Sequence, residues 1–244
     1  MTDRIFEIGK AGLDSADQRV RKLMDNMVSA RVPGYKKAET VTRGFPLELE
    51  AASKRISAMK PAVETSYINT QPGALIKTDG KLDMALGSDG YFVLSAPWGD
   101  GYTRDGRFQL DRDGRMLSVA GNLPIQGEAG PIIVTPGAQV EFTQTGEIMV
   151  DGIMVDKLRV VKPESKDTLE TLNGSLFKKK DPFAVMLSVE NPRVIQGYVE
   201  SSNVSVIDLM MEMMELEKTY SLNTQVIKSR SESLARGNEL GRSQ

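Results

Sequence analysis

The sequence predicts an α+β protein: a central all-β domain, an antiparallel barrel or sandwich, between long N- and C-terminal helices. Two observations predict it. Near both ends, apolar residues recur at alternating steps of three and four, the rhythm of one helix face. In the middle, short apolar runs alternate with turn residues, among them most of the chain's six Asp-Gly pairs. With 244 residues, 40% hydrophobic and 26% charged, the chain suffices for one large domain or two modest ones.

The first helix is expected over residues 4–31. Its stripe is Phe6, Gly9, Leu13, Ala16, Val20, Leu23, Met27 and Ala30. Asp3 is positioned to cap it, and Pro33-Gly34 stops it, because proline cannot continue a helix and disfavours helix in the residue before it. Gly9 and Gly12 each weaken it by about 1 kcal/mol relative to alanine, so the helix is marginal alone and needs a partner.

Residues 37–81 read as a connector, with a short helix over Leu47–Met59 and an extended stretch from Pro61 to Gly80 that turns at Asn69–Gly73. The β region follows over 82–200. Its turns are expected at Asp-Gly pairs beginning at Asp79, Asp89, Asp100, Asp105, Asp113 and Asp151. The strand candidates are 91–94, 107–110, 116–119, 132–134, 140–142, 147–150, 158–161 and 184–189.

The second helix is expected over 205–236, with Ser205 as N-cap, Asp208 at the third helical position and Gly237 as its stop. Its stripe is Val206, Leu209, Met213, Leu216, Tyr220, Asn223, Ile227 and Leu234, with Arg230 as the one charged intruder. Met210, Met211 and Met214 thicken the apolar face. Such stripes face other helices. They either close a two-helix hairpin or pack against other copies of the chain.

Composition excludes much chemistry. There is no cysteine, hence no disulfide, thiolate or cysteine metal site, and no histidine, the commonest general base and zinc ligand. A net charge of −2 argues against a broad attraction to nucleic acid, and Lys178-Lys179-Lys180 reads as a solvated turn. The N-terminus has no apolar segment of the kind a cleaved secretory signal needs, and no stretch approaches the roughly 20 apolar residues of a membrane span. Asp111-Arg112-Asp113-Gly114 lacks the rest of a calcium loop, and no phosphate loop or nucleophile elbow is present. No residue reads as catalytic, cofactor-binding or metal-ligating. A carbohydrate-binding β domain is the alternative of another class; it requires a cleft of aromatics and paired carboxylates, whereas Trp98, the one tryptophan, sits in an expected loop, and Trp98, Tyr102 and Phe108 read as packing in the β core or at a subunit contact.

Three segments carry a family resemblance. The first is Asp25 to Lys36, where Asn26, Pro33, Gly34, Tyr35 and Lys36 match and Asp25, Ser29 and Val32 depart. The second runs from Leu82 to Val93 and through Tyr102, Thr103, Arg104, Asp105, Gly106, Arg107 and Phe108. The third is Glu200, Ser201, Ser202, Asn203 and Val204, followed by a long helix with Lys218 and Tyr220. In this order they resemble the bacterial flagellar basal-body rod and hook proteins, and the length favours a rod subunit over a hook protein.

The resemblance implies terminal helices that pair as a coiled coil, an assembly segment over 1–36, a connector over 37–81, a β-rich domain over 82–200 and a second assembly segment over 201–244. It implies no enzyme activity and no cofactor. Implied partners are other copies of the chain, neighbouring rod and hook proteins and the flagellar type III export apparatus, with no nucleic acid and no membrane insertion. The implied location is the periplasm-spanning rod of the basal body, reached without a cleaved signal peptide. The expected assembly interface comprises Leu13, Val20, Leu23, Met27, Val206, Leu209, Met213, Leu216, Tyr220, Ile227 and Leu234.

Overall fold

The computed structural model describes residues 2–43, 63–135, 137–165 and 168–242. The short helix expected over Leu47–Met59 lies outside them. Of the described residues, those within Met1–Met27, Thr40–Ser66 and Ser205–Gln244 form one compact unit. Those within Val28–Glu39 and Tyr67–Val204 form a second, the β body.

The helices are α1 (Thr2–Ser29) and α2 (Val206–Arg242). Helix α1 ends where Pro33-Gly34 forbids continuation, with Gly34 at φ +69°. Helix α2 opens on its expected cap: the Ser205 hydroxyl accepts the Asp208 N–H at 3.3 Å. It then runs through Gly237, which had been expected to stop it. One glycine costs a long helix only about 1 kcal/mol.

A two-stranded ribbon joins β1 (Ala38–Arg43) and β2 (Val63–Ile68). In the body, β3 (Leu75–Lys77) and β4 (Met84–Leu86) wait for strands that arrive late in the chain. A hairpin follows, β5 (Tyr91–Ala96) and β6 (Gly99–Thr103). Two three-stranded meanders come next. One is β7 (Phe108–Leu110), β8 (Met116–Ser118) and β9 (Leu123–Pro124); the other is β10 (Val140–Phe142), β11 (Glu147–Val150) and β12 (Ile153–Lys157). Then β13 (Val160–Pro163), β14 (Leu169–Asn173), β15 (Leu176–Lys179) and β16 (Met186–Ser188) extend the first hairpin into a six-stranded sheet, ordered β14-β15-β6-β5-β13-β16. Finally β17 (Val194–Gln196) pairs antiparallel with β4, and β18 (Tyr198–Glu200) with β3. The end of the body is thus stitched to its beginning.

The central strands of the six-stranded sheet are buried on both faces, which explains the unbroken apolar run Tyr91-Phe92-Val93-Leu94. Phe92, Leu94, Val160 and Leu176 enter the larger core with Met84, Phe108, Met116 and Ile148. Tyr91, Val93, Tyr102, Val161 and Phe177 form a second cluster on the other face. Edge-to-face aromatic pairs anchor each: Phe92 on Phe108 and Tyr91 on Phe177, both at 5.4 Å between ring centres.

Two expectations of architecture are overturned. The terminal helices do not pair as a coiled coil: one helix stands at each end of the chain, and no coiled-coil pair is evident among the described residues. The seam is not sustained. On α2, Leu209 and Leu216 are buried but Tyr220 is 48% exposed, and on α1 the buried positions include Asn26. A coiled coil needs an apolar seam held over several heptads. Nor is the body a closed barrel. Its strands are short and divided among separate sheets, with ladder irregularities at Ile148/Met149 and Thr171/Asn173.

The Asp-Gly pairs also divide. Asp151-Gly152 is the expected tight turn, with φ of 49° and 80°. Asp100-Gly101 lies inside β6. At Asp105-Gly106 the backbone is pressed against β4, where a Cβ on Gly106 would fall 1.4 Å from the Met84 carbonyl oxygen.

Candidate functional site

Three segments far apart in sequence meet inside the β body. They are the turn after α1, the end of β6 and the approach to α2. Gly34 makes the meeting possible. A Cβ there would lie 2.2 Å from the Asp105 nitrogen, and the Gly34 N–H donates to the Glu200 carbonyl at 2.8 Å. The next residues then turn inward, and Tyr35 and Lys36 are buried.

Glu200 is the hub. Its Oε1 accepts from Lys36 Nζ at 2.5 Å and from the Gly73 N–H at 2.9 Å. Its Oε2 accepts from Arg104 Nε at 2.8 Å. Lys36 also donates to the Gln71 carbonyl at 2.7 Å. Arg104 donates its remaining nitrogens to carbonyls of the segment from the end of β4 to the residue before β5: Ser88 at 2.8 Å, Gly90 at 2.6 Å and Leu86 at 3.5 Å. All three charged side chains are at most 4% exposed. Burial holds the Lys36 amine below its usual pKa, and the facing Glu200 carboxylate opposes that shift.

Asn203 seals the same junction through its amide. Its Oδ1 accepts the Lys37 N–H at 2.7 Å, and its Nδ2 donates to the Asn69 and Gln71 carbonyls, each at 3.0 Å. A cavity of about 140 Å³ lies beside the cluster, with Lys36, Arg104, Tyr91, Asp89 and Lys162 in its wall. Desolvation pushes the Tyr91 phenol up to about 12.

This chemistry holds parts together. The carboxylate is engaged by two cations and a backbone donor, contacts that tie three segments of the chain together. Among the described residues, no group of three or more His, Cys, Asp or Glu is arranged to hold a metal ion. Of the aromatics that a sugar cleft would need, Tyr102 and Phe108 are buried and Trp98 is exposed on the β5–β6 turn.

The motif residues distribute as follows. Gly34, Tyr35, Arg104 and Asn203 join the cluster. Thr103 braces it, donating to the Ser175 carbonyl at 2.9 Å and accepting the Asp105 N–H at 3.0 Å. The Ser202 hydroxyl accepts the Val204 N–H at 3.2 Å. Gly106 and Phe108 serve the packing of β4 and β5. Tyr102 is buried, with its phenol pushed up to about 12 by desolvation, and Pro33 is half-buried. Asn26 is 1% exposed in α1.

Of the expected interface positions, Leu23, Leu209 and Leu216 are buried, and Leu13, Val20, Met27 and Met213 are half-buried. Val206 and Tyr220 are exposed. The side chains of Ile227 and Leu234 lie outside the described set. Sequence reasoning missed the pairing of Lys36 with Glu200, although both sat inside segments it had marked. The signal was a lysine pair directly after Pro-Gly-Tyr and a lone carboxylate closing a strand.

The sequence profile described as "Flagellar hook protein FlgE/F/G D1 domain" matches residues 85–152, and that described as "Flagellar basal body rod FlgEFG protein C-terminal" matches 195–240. Among curated relatives is the flagellar basal-body rod protein FlgF of Escherichia coli, 29% identical, with 88% of this chain and 89% of the relative covered. FlgG of Buchnera aphidicola from Acyrthosiphon pisum is 26% identical, with 96% and 98% covered. FlgF of Rhizobium meliloti is 26% identical, with 89% of each covered. With a helix at each end of the chain and a strand-rich body between them in sequence, these matches make the chain similar to the axial proteins of the flagellar rod and hook. The relatives that match over most of its length are flagellar basal-body rod proteins, and that similarity supports a flagellar rod protein.

Proposed function

We propose that this chain is a structural subunit of the flagellar basal-body rod that polymerises through its terminal helices into a torque-transmitting hollow shaft, and that it is no enzyme. The observation that carries this reading is the uncovered apolar face of α2. Ile207 is 72% exposed and Met214 62%, with Met210 and Met211 also exposed. An apolar face of this extent is the mark of an interaction surface. Methionine suits a surface that repacks between neighbours.

In this reading residues 1–36 and 201–244 are assembly segments, 37–81 a connector and 82–200 the β domain. The partners are other copies of the chain, neighbouring rod and hook proteins and the type III export apparatus. The chain reaches the basal body without a cleaved signal peptide, inserts in no membrane and binds no nucleic acid. No helix among the described residues is long and apolar enough to cross a membrane. Inside the β body, the Glu200 cluster ties the turn after α1 to the approach to α2.

Electron microscopy of basal bodies from a strain lacking the gene tests this. The expected result is a rod that stops short. An intact rod would overturn the reading.

A further inference from the structure

The turn after α1 and the strap that follows Gly197 meet inside the β body in a joint whose halves need each other. From the turn, the Gly34 N–H donates to the Glu200 carbonyl at 2.8 Å and the Lys37 N–H to Asn203 Oδ1 at 2.7 Å. In return the Asn203 N–H donates to the Tyr35 carbonyl at 3.4 Å. Glu200 is the one acid among the described residues that pairs with Lys36 or with Arg104. A strap lifted alone would leave both cations desolvated and without a carboxylate. A turn lifted alone would strip Lys36 from Glu200 and two backbone partners from Asn203. Either half-released state carries the cost of a broken buried ion cluster.

The strap is set apart from the rest of the body. Its strand β18 pairs with β3 in a two-stranded sheet of their own. Val199 and Glu200 are buried, but Leu75 and Ile76 of β3 are exposed, so little apolar surface holds this ribbon down. The preceding strand, β17, is anchored by Val194 in the larger core. Between β17 and β18 stands Gly197 at φ +76°, a conformation that favours glycine. Its N–H donates to the Asp83 carbonyl and its carbonyl accepts the Thr78 N–H, both at 2.8 Å, which pins this pivot to the body. Segments with few buried apolar contacts open at lower free energy than the core they lie on.

We propose that residues 34–37 and the strap 198–204 form one latch, which leaves the body and returns as a unit, hinged at Gly197, while the six-stranded sheet stays folded. The turn leads out of α1 and the strap leads into α2. A partner that engages one of these segments only in its released form therefore frees the other as well, by the reciprocity of linked equilibria. This coupling holds whether or not the chain is a rod subunit.

Native-state hydrogen exchange of the purified full-length protein in low denaturant tests this at the Gly34, Lys37, Ser201 and Asn203 amides. The Ser201 N–H donates to the Ala74 carbonyl at 2.8 Å, and the other three bridge the turn and the strap. The expected result is one shared opening free energy with a shallow denaturant slope, below that of the β5 and β6 amides. Val199→Ala should speed all four by one common factor; Val199→Thr, which keeps the side chain's shape, replaces it if the first does not fold. Ile125→Val, in the larger core, should speed the β5 and β6 amides and leave the four unchanged. Faster exchange at Ser201 and Asn203 with Gly34 and Lys37 unmoved would overturn the proposal, because the two segments would then open separately. So would four amides that share the slope of β5 and β6, because the body would then open only as a whole.

Discussion

Arg104 Nε lies 2.8 Å from Glu200 Oε2, across 96 residues of sequence, with both side chains buried. On the other oxygen of the same carboxylate sits Lys36, 164 residues away. One acid thus gathers two cations from different parts of the chain. Removing one partner from a buried ion cluster leaves the others desolvated and uncompensated. Glu200→Gln is therefore expected to destabilise the body by about 3–5 kcal/mol, seen as a lowered denaturant midpoint. A midpoint unchanged within error would mean that water or a rearranged side chain replaces the carboxylate.

Gly106→Ala is expected to be more damaging than any change on the surface. The added methyl would coincide with the Met84 carbonyl, which belongs to backbone and cannot rotate away. The loss should exceed about 4 kcal/mol, the range reserved for overpacking of this severity. Circular dichroism of the purified variant should show a largely unfolded body at room temperature.

Ser205→Ala tests the start of α2. Losing the bond from the Asp208 N–H should cost about 1 kcal/mol. Faster amide exchange confined to the first turn of α2, with the β strands unaffected, is the expected pattern.

The tyrosines give a pH signature. Burial pushes Tyr91 and Tyr102 up to about 12 from a usual value near 10. A phenol whose folded pKa is raised keeps its proton in the fold after the unfolded chain has lost it. Stability is therefore expected to fall as pH rises from about 10 to about 12, with no contribution from these groups below. Absorbance titration should show two of the six tyrosines ionising last, and Tyr102→Phe should flatten the alkaline loss.

Local chemistry was legible in the sequence wherever a few adjacent residues decide the outcome. Pro33-Gly34 ended α1, Ser205 capped α2 and Asp151-Gly152 made its turn, because each depends on backbone constraints within a single turn. The Lys36–Glu200–Arg104 cluster was not legible as a cluster. A charged residue in an extended segment ordinarily reads as solvent-facing, and only the pairing of β18 with β3 carries Glu200 inward. The same limit applies to the helices. A three-four stripe says that a face is apolar and leaves open what covers it, and along α2 the stripe loses burial at Tyr220.

The most direct test of the rod reading is replacement of the chain in cells by a version ending at Val204, followed by isolation of basal bodies. The β body, with its β17–β4 and β18–β3 pairings intact, should fold and resist protease. The truncated chain should nevertheless be missing from basal bodies, and the cells should not swim. Truncated chain recovered in complete rods of motile cells would contradict assembly through the terminal helices.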